Sequence, residues 1–435
     1  MTWEFSTEPE FQSQLDWMKD FVEEECEPLD LLWYDLAYAP HPPWLRAAIQ
    51  PLKEQVKQRG LWACHLGPDL GGPGYGQVKL ALMTEIMGRT RWGPVIFGCQ
   101  GPDSGNAEIL AHYGTEEQKA KYLQPLLDGE IKSCFSMSEP HGGSDPTRLR
   151  TRAERDGDEW VITGEKWFSS MARAASFLVT LAVTNPDVHP YRGMSMFLIP
   201  GDAPGLEIIR DVGTAGEPFG TGAHAYLRYD GVRVPADNLL GPEGEGFVVA
   251  QTRLGGGRVH HAMRAVGTCN KAMEMMCERA LSRETANGVL ADKQLIQQYV
   301  AESFAQIQQF RLFVLYTAWL IDQHGSAAAR KEIAASKNLA AKVVHDVVAR
   351  AVQVHGALGM SNETPLAQMW IEVPWMGVMD GPTEVHAGTI ARQVLKEHRA
   401  APGQWPTRWI PARLEAARVK HAVALATRAE HERPA

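Results

Sequence analysis

Two short stretches of this 435-residue chain carry residues whose types and spacing suit chemistry. In Met379-Asp380-Gly381-Pro382-Thr383-Glu384-Val385-His386, the Asp-Gly-Pro triplet reads as a turn and Thr383 as the cap of a helix that follows. Asp380 is then a carboxylate held at a loop-to-helix junction. In Ser133-Cys134-Phe135-Ser136-Met137-Ser138-Glu139-Pro140-His141-Gly142-Gly143-Ser144-Asp145, two adjacent glycines let the backbone approach a ligand and Ser144 places a hydroxyl beside them. Such a loop suits a phosphate or pyrophosphate. Both stretches also admit a plain structural reading, a capped helix and an ordinary β-hairpin.

The elements that must position these residues follow from the hydrophobic period. Phe135 to Glu139 reads as a strand ended by Pro140, which cannot donate to a sheet ladder. Glu159–Gly164 and Lys166–Ser170 read as paired strands around a glycine turn, rich in aromatic and β-branched residues. Ser138 and Ser170 fall on neighbouring strands with Phe168 near them. From Phe11 to about Leu126 the apolar residues recur at helical spacing, with Cys99–Asn106 opening a helix that Asp103 or Ser104 would cap. Gly71-Gly72-Pro73-Gly74-Tyr75-Gly76 superficially resembles a dinucleotide fingerprint, but no strand precedes it and Pro73 interrupts it, so it reads as a loop.

Between about Cys134 and Gly241 the period is two, with strands at Ser176–Val183, Met194–Ile199 and Ala223–Tyr229. From Gly246 to about Arg399 the chain is helical again. Two apolar stripes, Leu295, Ile296, Val300, Phe304, Ile307, Phe310 and Val314, then Leu339, Val343, Val344, Val347, Val348 and Val352, read mostly as core. The tail from Ala401 to Ala435 is proline-punctuated, with a basic amphipathic stretch from Ala412 to Glu430 that reads as a solvated helix or one packed on a neighbour.

The motif Ser-Glu-Pro-x-x-Gly-Ser-Asp at Ser138–Asp145, followed by Gly157-Asp158-x-x-x-Ile162-x-Gly164-x-Lys166-Trp167, resembles the first signature of the acyl-CoA dehydrogenases, and the resemblance runs to about Lys396. It implies an α+β fold: an N-terminal helical domain (1–133), a central β-sandwich or barrel domain (134–242), a C-terminal four-helix bundle (243–400) and a basic tail (401–435). It also implies FAD. Phe135, Met137, Ser138, Gly143, Ser144, Phe168 and Ser170 match cofactor-binding positions: the resemblance implies that Ser138 and Ser170 hydrogen-bond the isoalloxazine, Phe168 packs on its ring and Ser144 holds the pyrophosphate, with Phe168 for the usual Trp and Ser138 and Ser170 for the usual Thr. Pro382 and Glu384 match cofactor contacts, Arg283 and Thr285 match residues reaching a neighbouring subunit's FAD, and Gln353 with Gly356 match contacts to its adenosine half. The expected assembly is a homodimer or a dimer of dimers.

Asp380 falls where the family's second signature carries its base, which removes the α-proton of an acyl thioester while the β-hydride passes to the flavin. Gly381 and Arg258 match substrate contacts. A thioester α-proton is far too weakly acidic for a carboxylate in water, so the role calls for an oxyanion site and a desolvated base of raised pKa. Some members place the base just before an arginine on the first helix after the β domain. That position here is Gly257, within Leu254-Gly255-Gly256-Gly257-Arg258, and the three glycines imply space for a substituted acyl chain beside Asp380. The Asp-Gly-Pro triplet resembles a subgroup that is sometimes joined to a phosphotransferase domain and is associated with hydroxylated or branched acyl chains. An electron-transfer flavoprotein is the implied acceptor. Two alternatives stand beside the dehydrogenase: a nitroalkane-type flavin oxidase of the same fold, and a non-catalytic flavin-bearing protein that binds nucleic acid through the tail.

Composition bounds these readings. A hydrophobic content of 44% with 22% charged residues is that of a globular protein, and a net charge of -9 gives no electrostatic reason to expect nucleic acid. The six cysteines form no CxxC pair or zinc spacing, and a reducing cytoplasm fits them. No apolar run approaches the length of a membrane span. His260-His261 reads as core or helix-surface histidines, because adjacent helical residues diverge and no further ligand is spaced for a metal.

Overall fold

The alternation of helical and two-residue periods produces helices at both ends of the chain and a sheet between them. The computed structural model describes residues 5–68, 72–214 and 216–431. Gly71 of the glycine-rich stretch, the Glu430 side chain and the tail's final residues through Ala435 lie outside the described residues. Residues 1–388 form one compact unit and 389–435 a second.

The N-terminal helices are α1 (Pro9–Phe21), α2 (Glu27–Trp33), α3 (Pro43–Gln58), α4 (Gln77–Met87), α5 (Gly93–Ile96), α6 (Asp103–Tyr113), α7 (Glu116–Gln118) and α8 (Gln124–Asp128). The described part of the glycine-rich stretch, residues 72–76, is a loop. Gly76 (φ +78°) ends it, and the Asp322 carboxylate accepts from the backbone N–H groups of Gln77 and Val78 at 2.7 and 3.0 Å, capping α4 from another helix. Asp103 and Ser104 do not cap α6, which opens on Pro102 without a side-chain cap. Asp103 instead accepts from Ser133 N–H at 2.8 Å, Ser133 Oγ at 2.7 Å and Gln100 Nε2 at 2.8 Å, tying α6 to the first strand. A buried acid with donors arriving from three groups gains more there than from one cap.

The central strands are β1 (Ser133–Ser136), β2 (Arg152–Asp156), β3 (Glu159–Ser170), β4 (Phe177–Val183), β5 (Met194–Pro200), β6 (Leu206–Val212) and β7 (His224–Pro235). The sheet runs β1-β4-β2-β3-β7-β6 with β5 beside β4, and β1 also pairs antiparallel with β3 at Phe135–Ser170, which curls the sheet into a partial barrel. Two expectations are corrected. β1 stops at Ser136, and Glu139 and Gly142 then exchange backbone hydrogen bonds of 3.0 and 3.1 Å around Pro140-His141. Glu159 to Ser170 is one strand, not a hairpin about Gly164. The turn lies earlier, at Gly157 (φ +61°), and Gly164 is a bulge where a side chain would strike Thr151 Cα at 2.6 Å.

The C-terminal part of the first unit contains α9 (Gly246–Ser282), α10 (Gln294–His324), α11 (Arg330–His355), α12 (Leu366–Val378) and the start of α13 (Thr383–Lys396), with a two-stranded ribbon, β8 (Glu284–Thr285) and β9 (Gly288–Val289), after α9. Ile307, Phe310, Val314, Val343, Val344, Val347 and Val348 are core as expected, but Leu295, Phe304 and Leu339 are exposed. The second unit holds the rest of α13, then α14 (Ile410–Lys420) and α15 (Ala422–His431), preceded by Trp405 and Trp409 stacked at 4.7 Å. Among the described residues no helix is long and apolar enough to cross a membrane.

Candidate active site

A kinked connection between α12 and α13 presents Asp380. Asp380 sits at φ +53° and Gly381 at φ +101°, so two successive residues take the left-handed half of backbone space before Pro382 leads into α13. Aspartate tolerates that region better than most side chains, yet such strain persists only where the surroundings enforce it. They do so here. Arg258 Nε donates to the Asp380 carbonyl at 2.9 Å and His386 Nε2 lies 3.2 Å from the same oxygen. A side chain on Gly381 would meet His386 Nε2 at 3.1 Å. From α11, the buried Lys337 donates to the Met376 carbonyl, securing the end of α12. Thr383 donates to the Gly377 carbonyl at 3.1 Å, tying the first turn of α13 back to α12.

The Asp380 carboxylate faces α9. Its Oδ2 lies 3.0 Å from His261 Nε2 and 3.3 Å from the point where a Cβ on Gly257 would stand. The three glycines do not all border it. Gly256 faces Glu108, and nothing lies within contact distance of the Gly255 Cβ position. Burial works to raise the Asp380 pKa, but the hydrogen bond from His261, with the charges of Arg253 and Arg258 behind it, outweighs burial and holds the carboxyl below its usual range. The expected raised pKa is therefore reversed. The cause is the cationic α9 face, which the sequence showed as Arg253, Arg258 and Arg264 without showing where they point. Beside it, Glu108 is a carboxyl that burial does raise, to about 7, against the pull of His65 and Arg253.

The second cluster is built on β1, β3 and the loop between them. Trp167 N–H donates to the Ser138 carbonyl at 2.8 Å, so Ser138 and the Phe168–Ser170 segment are neighbours as expected. Ser170 Oγ is 2.9 Å from His224 Nδ1, and burial pushes the pKa of His224 down to about 4, leaving a neutral ring at pH 7. Phe168 is held at φ +53° and is 39% exposed, with Trp375 of α12 edge-on at 6.0 Å. Arg253 covers the face of the half-buried Phe135 ring at 3.8 Å. Met137 and Ser138 are half-buried, whereas Gly143 and Ser144 are exposed and nothing lies within contact distance of the Gly143 Cβ position.

These features fit an isoalloxazine and its pyrophosphate. A large ring in a strained, exposed conformation, an indole N–H of Trp167 buried without a partner, and an open backbone at Gly143 are what a flat aromatic ligand and a phosphate would satisfy. Phe168→Ala is expected to weaken flavin binding about tenfold, the size of one lost aromatic contact, read from the flavin content of the purified protein and its dissociation constant.

The other matched residues lie apart. Arg283 and Thr285 follow the C-terminus of α9, about 37 Å along the helix from Arg258 at 1.5 Å per residue. Gln353 and Gly356 are exposed at the end of α11, where Gly356 takes φ +65°. Glu384 is exposed in the first turn of α13 and Pro382 is half-buried. Sequence reading missed His261, having weighed it only against His260. The available signal was spacing, since His261 stands three and four residues after Arg258 and Gly257, on the same helix face. Among the described residues no cluster of His, Cys, Asp and Glu could hold a metal ion.

Comparison with known proteins agrees with this architecture. Models of the acyl-CoA dehydrogenase N-terminal, middle and C-terminal domains match residues 8–130, 134–230 and 244–395. The probable acyl-CoA dehydrogenase FadE2 of Mycobacterium tuberculosis is 43% identical over 81% of this chain and 86% of that protein. Acyl-CoA dehydrogenase family member 11 of Rattus norvegicus is 42% identical over 80% of this chain, which spans 45% of that longer protein. A solved structure from Mycobacterium abscessus, assigned to the acyl-CoA dehydrogenases, superposes with a TM-score of 0.84 at 36% identity, covering 91% of this chain and 100% of that one. The chain belongs to the acyl-CoA dehydrogenases, a family of flavin-dependent oxidoreductases.

Proposed function

We propose that the protein oxidises an acyl-CoA thioester to the 2-enoyl-CoA, with Asp380 as the base that takes the α-proton. The observation that carries this reading is the meeting of Asp380 Oδ2 with the Cβ position of Gly257 at 3.3 Å. Two positions far apart in sequence, each matching a base position in the family, converge on one point in space. FAD, when bound, supplies the hydride acceptor for the β-carbon. The chain's own residues do the rest. Ser138, Ser170 and the backbone of the loop at Gly143 and Ser144 hold the cofactor, and Phe168 packs against its ring. The Asp380 N–H faces the thioester oxygen, Gly381 leaves room for it, and Arg258 fixes the Asp380 backbone and brings positive charge to the CoA. A thioester that excludes water adds to the burial of Asp380 and raises its basicity toward the task.

Arg283 and Thr285 stand about 37 Å along α9 from Arg258, and we assign them, with the exposed Gln353 and Gly356, to FAD in a partner subunit of a homodimer. The exposed Leu295, Phe304, Leu312 and Tyr316 on α10 offer apolar surface for such an assembly. Six free cysteines suit a reducing compartment. An electron-transfer flavoprotein is the acceptor we assign, and on the Asp-Gly-Pro triplet we assign the chain to the subgroup that takes substituted acyl chains.

The lowered Asp380 pKa favours a second reading, a nitroalkane-type oxidase, because a nitroalkane α-proton is far more acidic than that of a thioester. Anaerobic titration of the yellow protein with straight, branched and hydroxylated acyl-CoAs separates the two. Bleaching by one class of thioester supports the dehydrogenase, and bleaching of the substituted class is the expected result. Oxygen consumption with a nitroalkane, without bleaching by any thioester, overturns it.

A further inference from the structure

We infer that His261 is a positioning residue for Asp380: fixed by Arg264, it holds the carboxylate toward α9 over Gly257 and keeps it ionised. This deepens the proposed function and rests on Asp380 being the base. Three contacts build the arrangement. Arg264 Nη2 lies 2.6 Å from His261 Nδ1, His261 Nε2 lies 3.0 Å from Asp380 Oδ2, and the missing side chain at Gly257 leaves that oxygen uncrowded.

The tautomer follows from chemistry. A guanidinium only donates, so Nδ1 must accept and the ring proton must sit on Nε2, where it points at Asp380. Protonating Nδ1 would set one donor against another at 2.6 Å, so the ring stays neutral, in the direction that burial and Arg264 already push it. His261 therefore orients the carboxylate without adding a charge. The groups facing the pair are Arg253, Arg258, His260 and Arg264 on α9, Lys337 on α11 and His386 on α13. Because the cations among them remain in any His261 variant, the effect of removing the ring isolates the hydrogen bond.

The experiment compares holoprotein of wild type, His261→Ala, His261→Gln and Asp380→Asn. Flavin reduction by the best acyl-CoA is followed by stopped flow from pH 3 to 9, a range that reaches below the ordinary carboxylate pKa. His261→Ala is expected to slow reduction about 30-fold with thioester affinity changed less than about threefold, the loss of one hydrogen bond to a charged acceptor. Its acid limb moves to higher pH, since a carboxylate without its donor is a stronger base that protonates earlier. His261→Gln, whose amide nitrogen occupies nearly the place of Nε2, recovers part of both. An Ala variant with an unmoved acid limb and a rate within about threefold of wild type overturns the inference, as does a Gln variant no better than Ala. Fold damage would instead lower flavin content in both variants alike and leave the acid limb in place, which also overturns it.

Nitrogen-15 NMR of histidine-labelled protein makes the result independent of turnover. A neutral Nε2–H ring that is absent from His261→Ala supports the assignment even if no thioester bleaches the flavin, whereas a cationic His261 at pH 7 defeats it. Absence of bleaching in wild type, by contrast, counts against Asp380 as a thioester base and leaves the NMR result standing.

Discussion

Asp380→Asn is expected to lower flavin reduction by acyl-CoA about 10³-fold while leaving the flavin bound, because the variant keeps shape and hydrogen bonding but loses the proton acceptor. The amide oxygen can still accept from His261 Nε2, so the turn at φ +53° has no new reason to move. The convergence on Gly257 gives this expectation a positive counterpart. In Asp380→Gly/Gly257→Glu, glycine relieves the strain at 380 and a glutamate grows from a point 3.3 Å from where Oδ2 stood. That double variant should recover reduction about tenfold or more over Asp380→Asn, with altered chain preference because the carboxylate now stems from α9. Single-turnover reduction at saturating thioester measures both. A double variant as inert as Asp380→Asn, with flavin bound, would show that the two positions do not address the same carbon.

Why the turn was legible while its neighbours were not is a matter of range. Asp380, Gly381 and Pro382 declare themselves locally, through residues that tolerate positive φ followed by a fixed one. The strands at β4, β5 and β7 were legible for the same reason, since their period is a property of a few adjacent residues. Gly164 misled because a glycine between two apolar runs has the same local signature in a turn and in a bulge, and only Thr151, just before β2, decides between them. Asp103 misled likewise, because it stands where a cap would stand but answers to Ser133. The Asp380 charge state was the least legible feature. Whether burial or a cationic helix face prevails depends on the direction of α9 side chains, and a string of residue types carries none of that.

The buried pair Glu139–Lys166 carries a large stake in stability, because removing one partner strands the other's charge. Their side chains are 1% and 0% exposed, with Lys166 Nζ 2.9 Å from Glu139 Oε1 and 2.9 Å from the Met137 carbonyl. Glu139 also accepts from the N–H groups of Arg150 and Thr151 at 2.7 and 2.9 Å, so one carboxylate clamps both ends of the loop that projects Gly143 and Ser144. Lys166→Met should therefore cost about 3–5 kcal/mol, the range for stranding one buried charge, and should release flavin at lower temperature. The pH dependence has a definite sign. Burial raises the Glu139 pKa, but Lys166 and the Thr151 donors override it and hold it below the ordinary value. A carboxyl with a depressed folded pKa stabilises the fold above its unfolded pKa, and that contribution disappears as pH falls through the folded one. In Lys166→Met burial acts with less opposition, Glu139 protonates sooner, and the acid unfolding midpoint moves to higher pH. Thermal melts and flavin fluorescence between pH 3 and 7 test this directly. An unchanged acid midpoint in a destabilised variant would mean that the backbone donors alone keep Glu139 ionised, with Lys166 acting only as packing beneath the loop.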